Sequence, residues 1–290
     1  MSSMSLISIK YKKAAFIAAF LFSTSLQAAP GETYKDIIEK AYNLSLQKDR
    51  TQSVAILLSA LKRESKKSSA QKELSMALDQ VAKVFYGDKS QQLFELALSL
   101  KTTDPALAVS KFQEAARLEP DNVSIELALA RMSLSTGGCD SALNRLQKQK
   151  DIAVYVEEVR LAIAQSQVCL GKFEDYLLLR GDADIKKSPL ALSWQMVETE
   201  YLFKTGSFVK ARDLVSSLQK ANSNFPEIHY WLWKSAVEMK IKADGSGPKY
   251  LTACKGLNSR LTRQFLQEPQ LCRRITEVET FLKKNNNSEI

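Results

Sequence analysis

From Tyr34 onward, apolar residues recur at intervals of three and four, the spacing that gives an α-helix one apolar face. Tyr34, Ile37, Ile38, Ala41 and Leu44 mark a helix within 31–47, and Val54, Leu57, Leu58 and Leu61 mark a second within 51–64. Asp49 and Arg50 make the turn between them. A charged link over 62–67 leads to a third helix over 68–86, carrying Leu74, Leu78, Val81 and Phe85, which Gly87 is expected to end. The same periodicity predicts helices over 89–100, 104–118, 122–135, 140–149, 154–170, 173–179, 190–204, 208–220 and 226–242. Asp244-Gly245-Ser246-Gly247 then forms the clearest loop, before shorter helices over 249–255, 259–267 and 269–284. Residues 285–290 are expected to be disordered. Only 10 glycines and 7 prolines occur in 290 residues, which suits helices joined by short turns and leaves too few for a β-rich domain.

The strongest local signal lies between Asp104 and Asn122. There Ala108, Phe112, Ala115 and Pro120 keep an A-x3-F-x2-A-x4-P spacing. Alanines on one face let a neighbouring helix approach closely, Phe112 fills the space beside them, and Pro120 stops the helix. This spacing resembles the second helix of a tetratricopeptide repeat and the turn that follows it. Leu129, Ala130, Gly137, Ala142 and Leu146 fall at family-like positions in the next unit, and Gly171-Lys172-Phe173 and Gly206, Phe208 and Ala211 resemble the family's turns. The resemblance implies an all-α chain, a right-handed α-solenoid of antiparallel helix pairs with a helical C-terminal cap. It divides the chain into a degenerate N-terminal repeat over 29–88, tetratricopeptide-like repeats over 89–225 and a cap over 226–284 with a polar outer face.

The first 28 residues read as an address. Lys10, Lys12 and Lys13 precede an apolar run over 14–22, and small residues follow at Ser23, Ser25, Ala28 and Ala29, as in a secretory signal peptide cleaved near Ala28. The first cysteine is Cys139, so no lipid-modified cysteine stands at that cleavage site. Nothing after Pro30 is apolar for long enough to anchor the mature chain in a membrane. The expected location is a bacterial periplasm, or the exterior after secretion. Loss of the three lysines takes the formal charge from +9 to +6, and the basic residues alternate with acidic ones. A solvated surface fits this better than a nucleic-acid groove, so no nucleic-acid partner is expected.

The chemistry available is sparse. His229 is the only histidine. Lying between aromatics in IHYWLWK, it reads as a packed side chain rather than a general base. Trp231 and Trp233 are two apart and point to different sides of a helix. One of them, with Tyr230, could offer a binding surface, or both could pack on the next helices. Glu157 and Glu158 also point apart, and no constellation around them or around Asp182 and Asp184 supports catalysis. The chain is therefore expected to be no enzyme, with no cofactor and no metal. Arg260, Arg263, Arg273 and Arg274 could meet an acidic partner or form a solvated face.

Four cysteines in an exported chain suggest two disulfides. In an antiparallel stack Cys139, opening one second helix, and Cys169, ending the next first helix, share an edge, which favours a Cys139–Cys169 bridge. Cys254 would then pair with Cys272 in the cap. Four unpaired buried thiols are the alternative.

The family's groove-lining pattern, laid on these helices, implies a concave face of Ser124, Leu127 and Arg131, then Glu158, Leu161 and Gln165, then Ser193, Met196 and Glu200. Such a mixed strip could hold an extended peptide or a helix. It lacks the lysine and asparagine cluster with which some family members clamp a peptide's C-terminal carboxylate. The implied function is a non-enzymatic periplasmic scaffold that binds a protein or peptide, in envelope assembly. An adaptor for cell-wall glycan, or for enzymes that process it, is the alternative, and it needs exposed Tyr230, Trp231 or Trp233.

Overall fold

The computed structural model describes residues 32–181, 187–257, 269 and 271–284. The expected signal peptide, the link bearing Asp182 and Asp184, the expected helix over 259–267 with Arg260 and Arg263, and the tail lie outside the described residues. Among the described residues the structure is all-helical, with fifteen α-helices.

Three helices open it: α1 (Tyr34–Leu46), α2 (Arg50–Leu61) and α3 (Ser69–Lys83). Each starts on a side-chain cap, from Thr33, Asp49 and Ser68, which accept the Asp36, Gln52 and Gln71 amides that the first turn leaves unpaired. Helix α3 ends at Lys83, short of the expected terminator. Gly87, extended at φ −135°, is the N-cap of α4 (Asp88–Leu100). The early stop has a physical cause, since Arg50 donates to the Val81 and Val84 carbonyls at that end of α3. Helix α4 pairs with α5 (Pro105–Leu118), which begins on the Asp104 cap with proline in its first turn.

The next helices are α6 (Val123–Ser135), α7 (Cys139–Gln147), the single turn α8 (Lys150–Ala153), α9 (Glu157–Cys169) and α10 (Phe173–Arg180). Gly181, at φ +52°, follows the last of these. Then come α11 (Ala191–Lys204), α12 (Phe208–Gln219), α13 (Pro226–Met239), α14 (Ser246–Lys255) and α15 (Ile275–Lys284).

Packing follows a single row. Helices α1, α3, α6, α9, α11 and α13 each touch the next member of that series. Helix α2 packs on α1 and α3, α7 on α6 and α9, and α12 on α11 and α13. The row passes directly from α3 to α6, while the α4–α5 hairpin attaches mainly through α5 on α6. The hairpin has its own small core, in which Phe112 meets Phe94 at 5.4 Å and Ala97, Ala108 and Ala115 are fully buried.

The hairpin is also pinned by charge. Glu119, the residue after α5, accepts the Arg50 guanidinium at 2.7 Å and the Tyr86 and Gly87 amides at 2.8 and 3.1 Å. Ser90 and Asn122 donate to the same carboxylate. Burial would raise this carboxyl, but the hydrogen bonds, led by that of Arg50, win and hold it down from its ordinary 4.5 to about 2. Asn122, the N-cap of α6, is fully buried here.

Both expected cysteine pairs are present, Cys139–Cys169 with Cα atoms 6.0 Å apart and Cys254–Cys272 at 5.6 Å. Of the two readings of the aromatic run of α13, the packed one holds. Tyr230, Trp231 and Trp233 are all buried, because α12 covers one side of α13 while α14 and α15 cover the rest. Two tryptophans two apart do face different sides, and here both sides are core.

Candidate functional site

The nine residues assigned to a concave face separate into two groups. Leu127, Leu161, Ser193 and Met196 are buried, so they offer no free surface. They lie on a row of helices that pack on one another, and neighbouring helices cover them. Ser124, Arg131, Glu158, Gln165 and Glu200 are partly exposed. Glu158 accepts Lys83 of α3 at 2.6 Å, and Lys83 also reaches Asp79 at 2.7 Å. Burial alone would lower the Lys83 pKa, yet its two carboxylate partners raise it, so this lysine is a firmly charged post between α3 and α9.

Beside that post an open groove of about 460 Å³ runs between α3 and the start of α9. Met76, Tyr155 and Leu190 supply apolar wall, and Lys72, Lys83 and Glu158 supply charge. Met76 is 56% exposed, an apolar side chain standing in solvent at the groove. The far wall is fixed by Glu157, which accepts the Ser188 hydroxyl at 2.5 Å and the Trp194 indole at 2.9 Å, tying the segment before α11 to the first turn of α9. A volume of this size falls in the range of ligand-holding clefts. Of these residues only Glu158 was assigned from the sequence. The α3 residues were missed because α3 carries no repeat motif.

Gln165, Met196 and Glu200 lie elsewhere. With Glu227 and Trp231 they line a pocket of only about 30 Å³, closed by Pro269 and Arg274 of the C-terminal region. Arg274 donates to the buried Glu227 carboxylate at 3.0 Å and stacks 4.5 Å from the Tyr230 ring centroid and 5.0 Å from that of Trp231. Burial pushes the Glu227 carboxyl up, and Arg274 and the Cys272 amide offset this only in part. Burial also opposes the Arg274 charge, but Glu227 and Glu200 more than compensate and its pKa is raised. Arg273 donates to the Leu134 carbonyl at the end of α6, at 3.2 Å. Helices α14 and α15 thus pack at α13, the last helix of the row, and Arg273 also reaches back to α6. Arg274 is largely buried against Glu227 and the α13 aromatics, while Arg273 is exposed.

A separate cleft of about 840 Å³ lies between α2, the α5–α6 connection and α7. Its principal charges are engaged, Arg50 with Glu119 and Arg145 with Glu126 at 2.9 Å. His229 is buried, with Nε2 2.9 Å from the Ser223 carbonyl oxygen. Among the described residues no cluster of three or more His, Cys, Asp or Glu is placed to hold a metal ion. No described helix is long and apolar enough to cross a membrane. No protein-family model matches this sequence, and no curated protein matches it.

Proposed function

We propose that the chain is an exported scaffold, similar to tetratricopeptide proteins, that holds a protein or peptide against its row of inner helices. In this reading α1, α3, α6, α9, α11 and α13 are the first helices of a right-handed α-solenoid, and the groove between α3 and α9 is its docking site. The observation that carries the reading is that groove, open to solvent and walled by Met76, Tyr155 and Leu190 with Lys72, Lys83 and Glu158 at its edges. An extended peptide could lay apolar side chains on the wall and pair its charges with the edge residues. Two disulfides suit an oxidising compartment outside the cytosol.

A photo-crosslinking amino acid at position 76, used in intact cells of the producing organism, tests this directly. The expected result is an adduct with one envelope protein that disappears on Lys83→Glu. Equal adducts from position 209 on α12, or none while the tagged protein is abundant and folded, would remove the docking site. The glycan-adaptor reading is not favoured, because it needs an exposed aromatic platform and Tyr230, Trp231 and Trp233 are all at most 5% exposed. Binding of the purified protein to cell-wall sacculi would restore it.

A further inference from the structure

The helices that flank the inner row leave one step of it open. Helix α2 packs on both α1 and α3, and α7 packs on both α6 and α9. Among the described residues no helix packs on both α3 and α6. The cause lies in α6, which gives Ile125, Leu129 and Met132 to the hairpin core and Val123, Leu127 and Ala130, on its other side, to the main core. The α4–α5 hairpin therefore stands on the far side of α6, and the cleft of about 840 Å³ falls between α2 and α7.

This cleft has the size and the lining of a helix seat. On α2 it is lined at positions 50, 54 and 58 and on α7 at positions 140, 144 and 148, so each wall presents one helical face over ~12 Å. A guest helix ~12 Å long and ~10 Å across occupies roughly 900 Å³, close to the volume of the cleft. Val54, Leu58 and Ile152 supply its apolar lining. The guanidinium groups within it are already paired, Arg50 with Glu119 and Arg145 with both oxygens of Glu126 at 2.9 and 3.1 Å. The exposed rim is different. The carboxylates of Asp121 and Asp151 have no partner among the described residues, and Asp140 accepts only the Asn144 amide, at 2.9 Å. Against these three carboxylates stands the Lys148 ammonium, so the rim is two charges negative on a chain whose formal charge is +9.

We propose that the cleft between α2 and α7 is a second docking site, seating an amphipathic helix of a partner protein whose apolar stripe is flanked by lysine or arginine. The stripe lies on Val54, Leu58 and Ile152, and the flanking cations meet Asp121, Asp140 and Asp151. The rim selects a basic helix over an acidic one, since it offers carboxylates while the guanidinium groups below are spent. The guest lies where a bridging helix would close the α3–α6 step. This cleft shares no lining residue with the groove between α3 and α9, so the two sites stand or fall separately.

The test is fluorescence anisotropy with a synthetic leucine–lysine peptide of about 18 residues, long enough to form a helix. Its leucines fall at i, i+3, i+4 and i+7 and its lysines flank them; a second peptide carries glutamate for every lysine. The wild-type chain should bind the lysine peptide at least about tenfold more tightly than the glutamate peptide, and less tightly as added salt screens the rim. Asp140→Lys/Asp151→Lys should weaken binding by about tenfold or more. Ser141→Trp, which fills the cleft from an exposed position without changing charge, should weaken it comparably. Glu174→Lys/Asp175→Lys on α10 makes the same charge change at exposed positions outside the cleft, and should leave binding within about twofold. Circular dichroism checks that every variant is folded. Equal loss from the α10 pair, no loss from Ser141→Trp, or no preference for lysine would each overturn the site. So would a wild-type dimer in light scattering that Ser141→Trp dissociates, which would assign the cleft to a second copy of the chain.

Discussion

Glu119→Gln is the sharpest probe of how the α4–α5 hairpin is held. The substitution keeps the side-chain shape but removes the charge that faces Arg50. Both side chains are almost wholly buried, at 6% and 7% exposure, so the guanidinium cannot turn to water for compensation. Its other partners are neutral, the carbonyls of Val81 and Val84 and the ring of Tyr86, whose centroid is 4.3 Å from the guanidinium. Moreover, the new NH2 group places donors at one of the two oxygen positions, facing either Arg50 and Asn122 or Ser90 and the Tyr86 and Gly87 amides. Breaking one side of a buried pair in this way costs about 3 to 5 kcal/mol. Urea denaturation at neutral pH, followed by far-ultraviolet circular dichroism, measures it. A loss below about 1 kcal/mol, the range of an exposed ion pair, would refute the junction. Replacing both partners, as in Arg50→Met/Glu119→Leu, should recover the part of the loss due to the unpaired charge, but not the part due to the Tyr86 and Gly87 amides, which lose their acceptor. The pH dependence has a definite sign. Glu119 is depressed in the folded state, so its contribution is complete above the ordinary carboxylate value of 4.5 and fades as pH falls toward about 2. The stability curves of wild type and Glu119→Gln should therefore converge across that window.

Phe112→Ala should cost about 3 to 5 kcal/mol in the same denaturation, since the ring is 1% exposed and packs against Phe94. A cost near zero would sink the alignment of α5 with the repeat motif. Cys139→Ser/Cys169→Ser should lower stability by about 3 kcal/mol, the amount expected for a loop of this order, without changing helix content. At Gly247 an added Cβ would stand 3.0 Å from Trp233 Cδ1 and 3.2 Å from its Nε1, against a buried ring. Overpacking of about 1 to 3 kcal/mol outweighs the gain of about 0.5 to 1 kcal/mol from replacing a helical glycine. Gly247→Ala should then be net destabilising and shift the tryptophan emission, and a stabilised protein with unchanged emission would contradict it.

Local features were legible in the sequence where one helix contains the whole cause. The Ala108, Phe112 and Ala115 stripe and the stop before Pro120 are read within one helix, and α5 ends at Leu118 with all three side chains buried. The cysteine pairing was legible because it follows from antiparallel helices sharing an edge. What failed depends on partners far along the chain. Periodicity left two readings of α13 open, an exposed aromatic or both tryptophans packed, and only the cover that α14 and α15 give to the second side decides for the packed one. The buried Leu127, Leu161 and Met196 show the same gap, since a strip at helical spacing can face solvent or the next inner helix. Arg274 read as a surface cation because nothing near it in sequence announces Glu227, 47 residues earlier. The end of α3 was misplaced for a related reason, its carbonyls being claimed by Arg50.

The side position of the α4–α5 hairpin bears on the order in which the chain folds. For α3 to meet α6, the backbone must return on itself over the span from Val84 to Asn122, 38 residues bridged by one side-chain bond of 3.1 Å. Closing a flexible loop of that length costs about 3 kcal/mol in chain entropy. Helices α4 and α5 are neighbours in sequence, so they can pair early, and pairing brings the two ends of the span together. The hairpin then acts as a splice across the row, turning the distant contact of α3 with α6 into a near one.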